Sequence, residues 1–352
     1  MRQFNFIYLL IFSFLLVSTN ASAVTIKIGV LAPEGTSWSK NFKKMSKEIS
    51  QETAGAVKIK FWFGGSQGDE PDVLRKIHLG QLHGGIFTGK TLGEINGDVR
   101  VVELPFTFLG DRAKAFSTLG KMETFFNKGF AKKKFKNLGF FELGLVYLVS
   151  LKKTASLKDL NGIKIWSWAG DQLVEEMVKS MKLVSVPLAL PDVLSSLSTG
   201  IIEAAYGPPM GIIALQWNTK IKYLVDFPMA YSVGAFLISD RGWKKIKPAH
   251  QKIVEEISKK YVNKINSAIE KENKDALASM KALGVEFLSF PAKDIKEGKS
   301  LRGQIVNNLK GKLFSASALS LLEKSRLTVP LKKAKPLKKA KPLKKAKPVK
   351  KV

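Results

Sequence analysis

Apolar residues recur along the chain in two rhythms that take turns. Ile26, Ile28 and Val30 alternate with other residues at the period of a strand, and Trp38, Phe42, Met45 and Ile49 then follow at helical spacing. A second alternating run, Val57-Lys-Ile-Lys-Phe-Trp-Phe63, ends at Gly64-Gly65. Pro71-Asp72 starts a short helix through Leu74 and Ile77, and Gly84-Gly-Ile-Phe-Thr88 reads as a buried strand. Strands that alternate with helices predict a largely parallel sheet with helices on its faces.

The rhythm returns after residues 140–151, a strand-like run whose single charge is Glu142. Residues 160–166 read as a turn and strand, 171–181 as a helix and 184–188 as a strand. Pro191-Asp192 opens a helix that stops at Gly200, and 201–206 are again extended, which makes a second α/β unit. Beyond a strand at 234–238, Ile253, Ile257, Tyr261, Ile265, Ile269, Ala276, Met280 and Leu283 fall mostly four apart, with Gly284 as a stop. One continuous helix from about residue 249 would run on the order of 50 Å. The alternative is two helices kinked near Asn273.

The two ends differ from this body. Arg2, an apolar run over 4–17 and Ala21-Ser22-Ala23 form a cleavable secretory signal, residues 1–23, with cleavage after Ala23 and a periplasmic destination. At the other end Pro330-Leu-Lys-Lys-Ala-Lys recurs at Pro336, at Pro342 and in shortened form at Pro348. Regular proline and dense like charge predict a disordered tail over 330–352.

The 352 residues leave room for two domains after the signal, and 45% hydrophobic content is enough for a packed core. The absence of cysteine excludes disulfides, thiolate metal sites and thiol nucleophiles. The formal charge of +29 owes eleven lysines to the tail, but the body is basic without them. Such a field favours anionic surroundings. It defines one function class: an envelope interaction protein attaching to anionic lipid, wall polymer or nucleic acid through a tail that has no aromatic residue for base stacking. Catalysis has less to stand on. His78, His83 and His250 do not form a metal cluster, since only the first two are near each other and Gly80 separates them. Gly64-Gly65 and Gly84-Gly85 read as close-packed strand ends rather than phosphate cradles, and no G-x-G-x-x-G fingerprint occurs. No enzyme activity, metal or cofactor is expected.

Several stretches, in order, resemble the DctP-type substrate-binding proteins of TRAP transporters. They are Ile28-Gly-Val-Leu-Ala-Pro-Glu-Gly-Thr-Ser-Trp38, Gly68-Asp-Glu-Pro-Asp-Val-Leu-Arg-Lys-Ile77, Gly80-Gln-Leu-His-Gly-Gly85, Glu103-Leu-Pro-Phe106, Asp159-Leu-Asn-Gly-Ile-Lys-Ile165, and Thr199-Gly-Ile-Ile-Glu203 followed by Pro208-Pro209. The resemblance implies an α/β, class II periplasmic-binding-protein-like fold, with two α/β lobes joined by crossing strands and a long helix. The lobes are expected at 24–147 plus 232–270 and at 148–231 plus 271–329. It also implies delivery of a small-molecule ligand to TRAP membrane permease subunits driven by an ion gradient.

Most members of that family carry an arginine after the Gly-x-Lys-x strand, which grips the ligand carboxylate through its planar fork. Here Gly162-Ile-Lys-Ile-Trp166 puts tryptophan in its place, Val146 stands where a second arginine is common, and Gly207 replaces a usual asparagine. Trp166, with Trp168, Tyr206, Pro208 and Pro209, is therefore expected to form an aromatic wall for a hydrophobic or amphipathic ligand, an apolar carboxylic acid among the candidates. The likeness extends to a subgroup suspected of using a tetratricopeptide-repeat partner protein.

Each candidate also has a packing alternative. Trp166, Trp168 and Trp38 either line the cleft or fill the core. Glu34 either accepts a ligand hydroxyl or caps the helix after it. Phe63 and Thr88 end strands, where open α/β sheets place ligands. Gln216 and Trp217 either line the cleft or pack beneath it.

Overall fold

A computed structural model describes residues 23–328. Residues 1–22 of the expected secretory signal and the expected lysine-rich tail, 330–352, lie outside the described residues.

Strand β1 (Val24–Val30) buries Ile26 and Ile28 against Phe42, Met45 and Ile49 of helix α1 (Ser37–Glu52). Next come β2 (Val57–Trp62), α2 (Glu70–His78), β3 (Gly84–Thr88) and α3 (Gly89–Ile95). The stretch Gly97–Glu103 is a 3-10 helix, and it leads to α4 (Arg112–Lys132) and β4 (Phe135–Ser150). The second unit is β5 (Lys164–Ser167), α5 (Gln172–Ser180), β6 (Val184–Pro187), α6 (Val193–Thr199), β7 (Ala204–Gly207), α7 (Pro209–Ala214) and β8 (Tyr223–Val225). The chain then crosses back through β9 (Ala230–Ser239) and the single turn α8 (Asp240–Trp243) into α9 (Pro248–Ala282). It ends with β10 (Glu286–Leu288), α10 (Ala292–Leu309) and α11 (Ala316–Leu327).

The strands lie in the order β2-β1-β3-β9-β4-β7-β5-β6, with β8 on β4 and β10 on β8. Most pairings within each half are parallel, as the alternating rhythm predicts. The antiparallel pairings centre on β4 and β9, which run against each other and join the halves. From Phe135 to Val146, β4 pairs with β9, and from Tyr147 to Ser150 it pairs with β7. Its partner therefore changes between Val146 and Tyr147, shortly after the register with β9 slips between Glu142 and Gly144. Gly144 has φ 113°, a conformation that L side chains rarely adopt.

Helix α9 is 35 residues long and continuous through Asn273, so the kinked alternative does not hold. Its Ile257, Tyr261 and Ile265 belong to the core under β1 and β2, and Met280 belongs to the core under β5 and β7. Asn273 uses its amide outward: its Nδ2 donates to Leu143 O at 2.8 Å, and its Oδ1 accepts the Met210 N–H at 2.9 Å. A single side chain thereby ties the long helix to the crossing strand and to the start of α7.

Candidate functional site

The two halves of the sheet face each other across a cleft holding two adjoining cavities, of about 180 Å³ and about 110 Å³. Thr88, Leu143, Leu190, Pro208, Gly211 and Leu215 line both. Gly211 sits at the junction on α7, where no Cβ narrows the passage.

Trp166 is the centre of the first cavity's wall. It is 3% exposed, stacks on Tyr206 at a centroid distance of 5.0 Å, and meets Trp217 edge-on at 5.5 Å. Its indole N–H donates to Leu188 O at 3.1 Å, so the one polar atom of the ring is used up inside the wall. Trp168 packs on Trp166 at 5.4 Å, lines the same cavity, and donates its indole N–H to Asp69 Oδ2 at 2.8 Å. Asp69 is the N-cap of α2 in the other half of the molecule, so this bond crosses the cleft. Val146 and Gly207 line the first cavity, as do Trp217 and Pro208.

Trp38 lines the second cavity and meets Phe141 edge-on at 4.6 Å. Thr88 faces both cavities, and it donates its N–H and hydroxyl to the buried Glu70 at 2.9 and 2.8 Å. Burial pushes the Glu70 carboxyl up to about 8, against the lowering effect of those two bonds.

Other candidates lie elsewhere. Glu34 is exposed and pairs with Lys43 at 2.8 Å, while the cap of α1 is Thr36, whose Oγ1 accepts from Ser39 N. The capping reading of Glu34 does not hold, and Glu34 lines neither cavity. Phe63, just beyond the end of β2, packs on Phe61 in the core and lines neither cavity. Pro209 is buried as the first residue of α7, where a missing N–H costs nothing, and Gln216 is exposed with a left-handed backbone (φ 60°). Neither lines a cavity.

Two stretches spell enzyme signatures, and the fold removes both. Gly84-Gly-Ile-Phe-Thr-Gly-Lys-Thr91 has the spacing of a phosphate-binding loop, but 84–88 are a strand paired with β1 and β9, so their amides are not free to cradle phosphate. Lys90 pairs with Glu94. Gly64-Gly-Ser-Gln-Gly68 has the spacing of a nucleophile elbow, yet it forms successive turns in the long connection from β2 to α2 and not the single sharp turn an elbow needs.

The cleft also holds an ion cluster that the sequence reading missed. Arg100, 3% exposed on the 3-10 helix, donates from Nη2 to both oxygens of Asp171 at 2.9 and 3.0 Å. Its Nε lies 3.2 Å from Glu103 Oε2. Asp171 is the N-cap of α5 in the opposite half, so this pair also crosses the cleft. Burial would tend to discharge the guanidinium, but Asp171 and Glu103 outweigh it and hold Arg100 above its ordinary value. Burial also raises Glu103, against the pull of Arg100. A sequence signal existed: Val99-Arg-Val-Val-Glu103 places opposite charges three apart inside an apolar run that continues to Phe108.

Residues 28–310 match the family model of the DctP proteins, described as bacterial extracellular solute-binding protein, family 7. The chain belongs to this family. DctP-type TRAP receptors are periplasmic binding proteins and not enzymes, and they deliver a small-molecule ligand to TRAP membrane permease subunits. A solute-binding protein of Verminephrobacter eiseniae is 21% identical over 270 residues, covering 76% of this chain and 80% of its own. Among solved structures, a TRAP periplasmic solute-binding protein from Desulfovibrio salexigens with bound orotic acid superposes with a TM-score of 0.78 at 20% identity, covering 86% of this chain and 98% of its own. A Haemophilus influenzae counterpart with bound L-gulonate gives 0.79 at 20% identity, covering 86% and 99%. The two-lobed α/β fold of the DctP receptors is thus the fold of this chain.

Proposed function

We propose that this DctP-type receptor captures a hydrophobic or amphipathic solute, unlike the acid-bound relatives. The observation that supports the reading is the chemistry at two positions. Trp166 and Val146, which stand where the family resemblance places carboxylate-gripping arginines, are both buried and both face the first cavity. A tryptophan whose N–H is already bonded offers an anion only the face of its ring, whereas it offers a hydrocarbon chain a large contact area. Leu143, Leu148, Ile165 and Leu215 continue the same surface. Apolar area removed from water contributes about 25 cal/mol per Å², so such a wall favours alkyl or ring hydrocarbon over small polyhydroxy acids.

Calorimetry on the purified chain with ten-carbon alkyl compounds on one side, and orotate, gulonate and succinate on the other, tests the reading. Binding by the alkyl compounds alone is expected. Tight binding of a small acid with no response to any alkyl compound would sink it.

The finer partners are part of the proposal and rest on the sequence. They are a tetratricopeptide-repeat protein, and an anionic lipid or wall polymer held by the lysine-rich residues 330–352. Deleting 330–352 should abolish salt-sensitive binding to anionic vesicles; unchanged binding would remove the tail from that role.

A further inference from the structure

Arg100 looks at first like a relocated carboxylate clamp, a cation at the cavity wall in a family whose solved relatives hold acids. Its charge, however, is already met. Asp171 takes both of its Nη2 contacts, and Glu103 lies against Nε. Whether Glu103 carries its charge or a proton, the cluster has no surplus positive charge. A ligand carboxylate would enter a mostly apolar cavity beside one or two fixed carboxylates, where their repulsion is weakly screened.

What the cluster does have is spare donors. Among the described residues, Arg100 Nη1, Arg100 Nε and the Tyr206 hydroxyl have no hydrogen-bond partner, although Nε has the Glu103 carboxylate at ion-pair distance, and all three atoms are buried. Both residues line the first cavity. Tyr206 lies close enough to Asp171, Arg100 and Glu103 to feel their charges, and its ring is held by the stack on Trp166. The oxygens of Asp171 are occupied, Oδ1 by Arg100 and the amides of Leu173 and Val174, Oδ2 by Arg100. Glu103 Oε1 accepts from Val233 N and Ser232 Oγ. The guanidinium N–H groups and the Tyr206 hydroxyl are thus donors without acceptors at this end of the cavity, and buried donors left unmade are expensive.

We propose that the cleft takes a neutral amphiphile, an alkyl chain ending in an uncharged acceptor such as a hydroxyl, amide or ester carbonyl, with the acceptor seated on Arg100 Nη1 and Tyr206 Oη. This rests on the apolar-ligand reading above and narrows it, setting aside the apolar carboxylate. The chain lies along the aromatic wall and past Gly211 toward Trp38, while the oxygen accepts the two bonds that no protein group supplies. A carboxylate head would bring charge that the cluster cannot balance.

The test is calorimetric titration of the whole chain at pH 7.5 with decan-1-ol, decanamide, decanoate and decylammonium, all below their aggregation limits. The alcohol and amide are expected to bind at least tenfold more tightly than decanoate, and tighter binding of decylammonium than of both would overturn the assignment of an uncharged head. Tyr206→Phe should lower affinity for decanamide about three- to tenfold and leave binding of 1-chlorodecane, which lacks a strong acceptor, unchanged. Decanoate binding as tightly as decan-1-ol would overturn the head-group assignment and leave the apolar cleft intact. An equal effect of Tyr206→Phe on decanamide and 1-chlorodecane would also overturn it. Failure of all the ten-carbon compounds to bind would overturn the apolar reading, and this one with it.

Discussion

Asp69 Oδ2 accepts the indole N–H of Trp168 at 2.8 Å, and the backbone N–H of Leu190 reaches the same oxygen at 3.4 Å. The acceptor belongs to the cap of α2, and both donors belong to the other lobe. A charge-assisted bond of this kind contributes roughly 1.5–3 kcal/mol when it is partly shielded from water.

Removal of that bond should loosen closure without unfolding either lobe. Trp168→Phe keeps an aromatic ring against Trp166 and deletes the donor. Small-angle scattering should show a larger radius of gyration for the variant, with a melting temperature within a few degrees of the parent. An unchanged radius in both liganded and free protein would show that the bond does not hold the lobes together.

Gly144 should be far less tolerant of alanine than the helical glycines. A Cβ there would lie 2.4 Å from Asn273 Nδ2, on a backbone with φ 113°. Both the strain and the disturbed amide act in the same direction, so Gly144→Ala should destabilise by about 1–3 kcal/mol. Gly120→Ala and Gly303→Ala meet nothing within 4 Å and lie inside helices, where alanine stabilises by roughly 0.5–1 kcal/mol. Urea unfolding of the three variants checks the order.

Glu70 should make stability fall as pH rises. Its folded-state carboxyl titrates near about 8, well above an unfolded glutamate, so between the two values the native state holds a proton that the unfolded chain has lost. The contribution is fully present below the unfolded value near about 4.3, declines through the window and is gone above about 8. Its size is on the order of a few kcal/mol. Glu70→Gln keeps the shape and removes the titration, so the parent should lose more stability than the variant between pH 5 and pH 8. Parallel curves in urea unfolding would show that Glu70 does not titrate in this range.

Gly211 offers a test of whether the two cavities act as one cleft. A side chain there would stand at their junction; a Cβ makes only ordinary contact with Pro208 at 3.4 Å, so the change is compatible with the fold. Gly211→Leu should cut affinity for decan-1-ol about tenfold or more and spare hexan-1-ol. Equal losses for both chain lengths would mean that ligand does not pass from one cavity to the other.

Periodicity made the framework legible before any coordinates. Ile26, Ile28 and Val30 on one side, and Ile257, Tyr261, Ile265 and Ile269 on another, mark a strand and a helix face because burial demands repeats of two and near four. The aromatic wall was legible too, since Trp166 and Tyr206 fall in recognisable motifs. The ion cluster was not. Arg100 and Asp171 are far apart in the chain, and nothing local indicates that a 3-10 turn in one lobe will face a helix cap in the other. Glu34 misled for the opposite reason: it precedes a helix, as a cap would, but Thr36 has the shorter side chain that reaches the Ser39 amide.

The slip in register at Gly144 has a mechanical meaning. β4 passes from one lobe to the other as an unbroken strand, with its irregular register at Gly144 just before it changes partner at Tyr147, and such a bulge is a place where a strand can twist while remaining paired on either side. Little resistance to opening then comes from the joint. It comes from two acidic caps, Asp69 and Asp171, each gripping a donor from the far side. Selection acting on those caps could retune how long a captured molecule stays, with no change to the walls that recognise it.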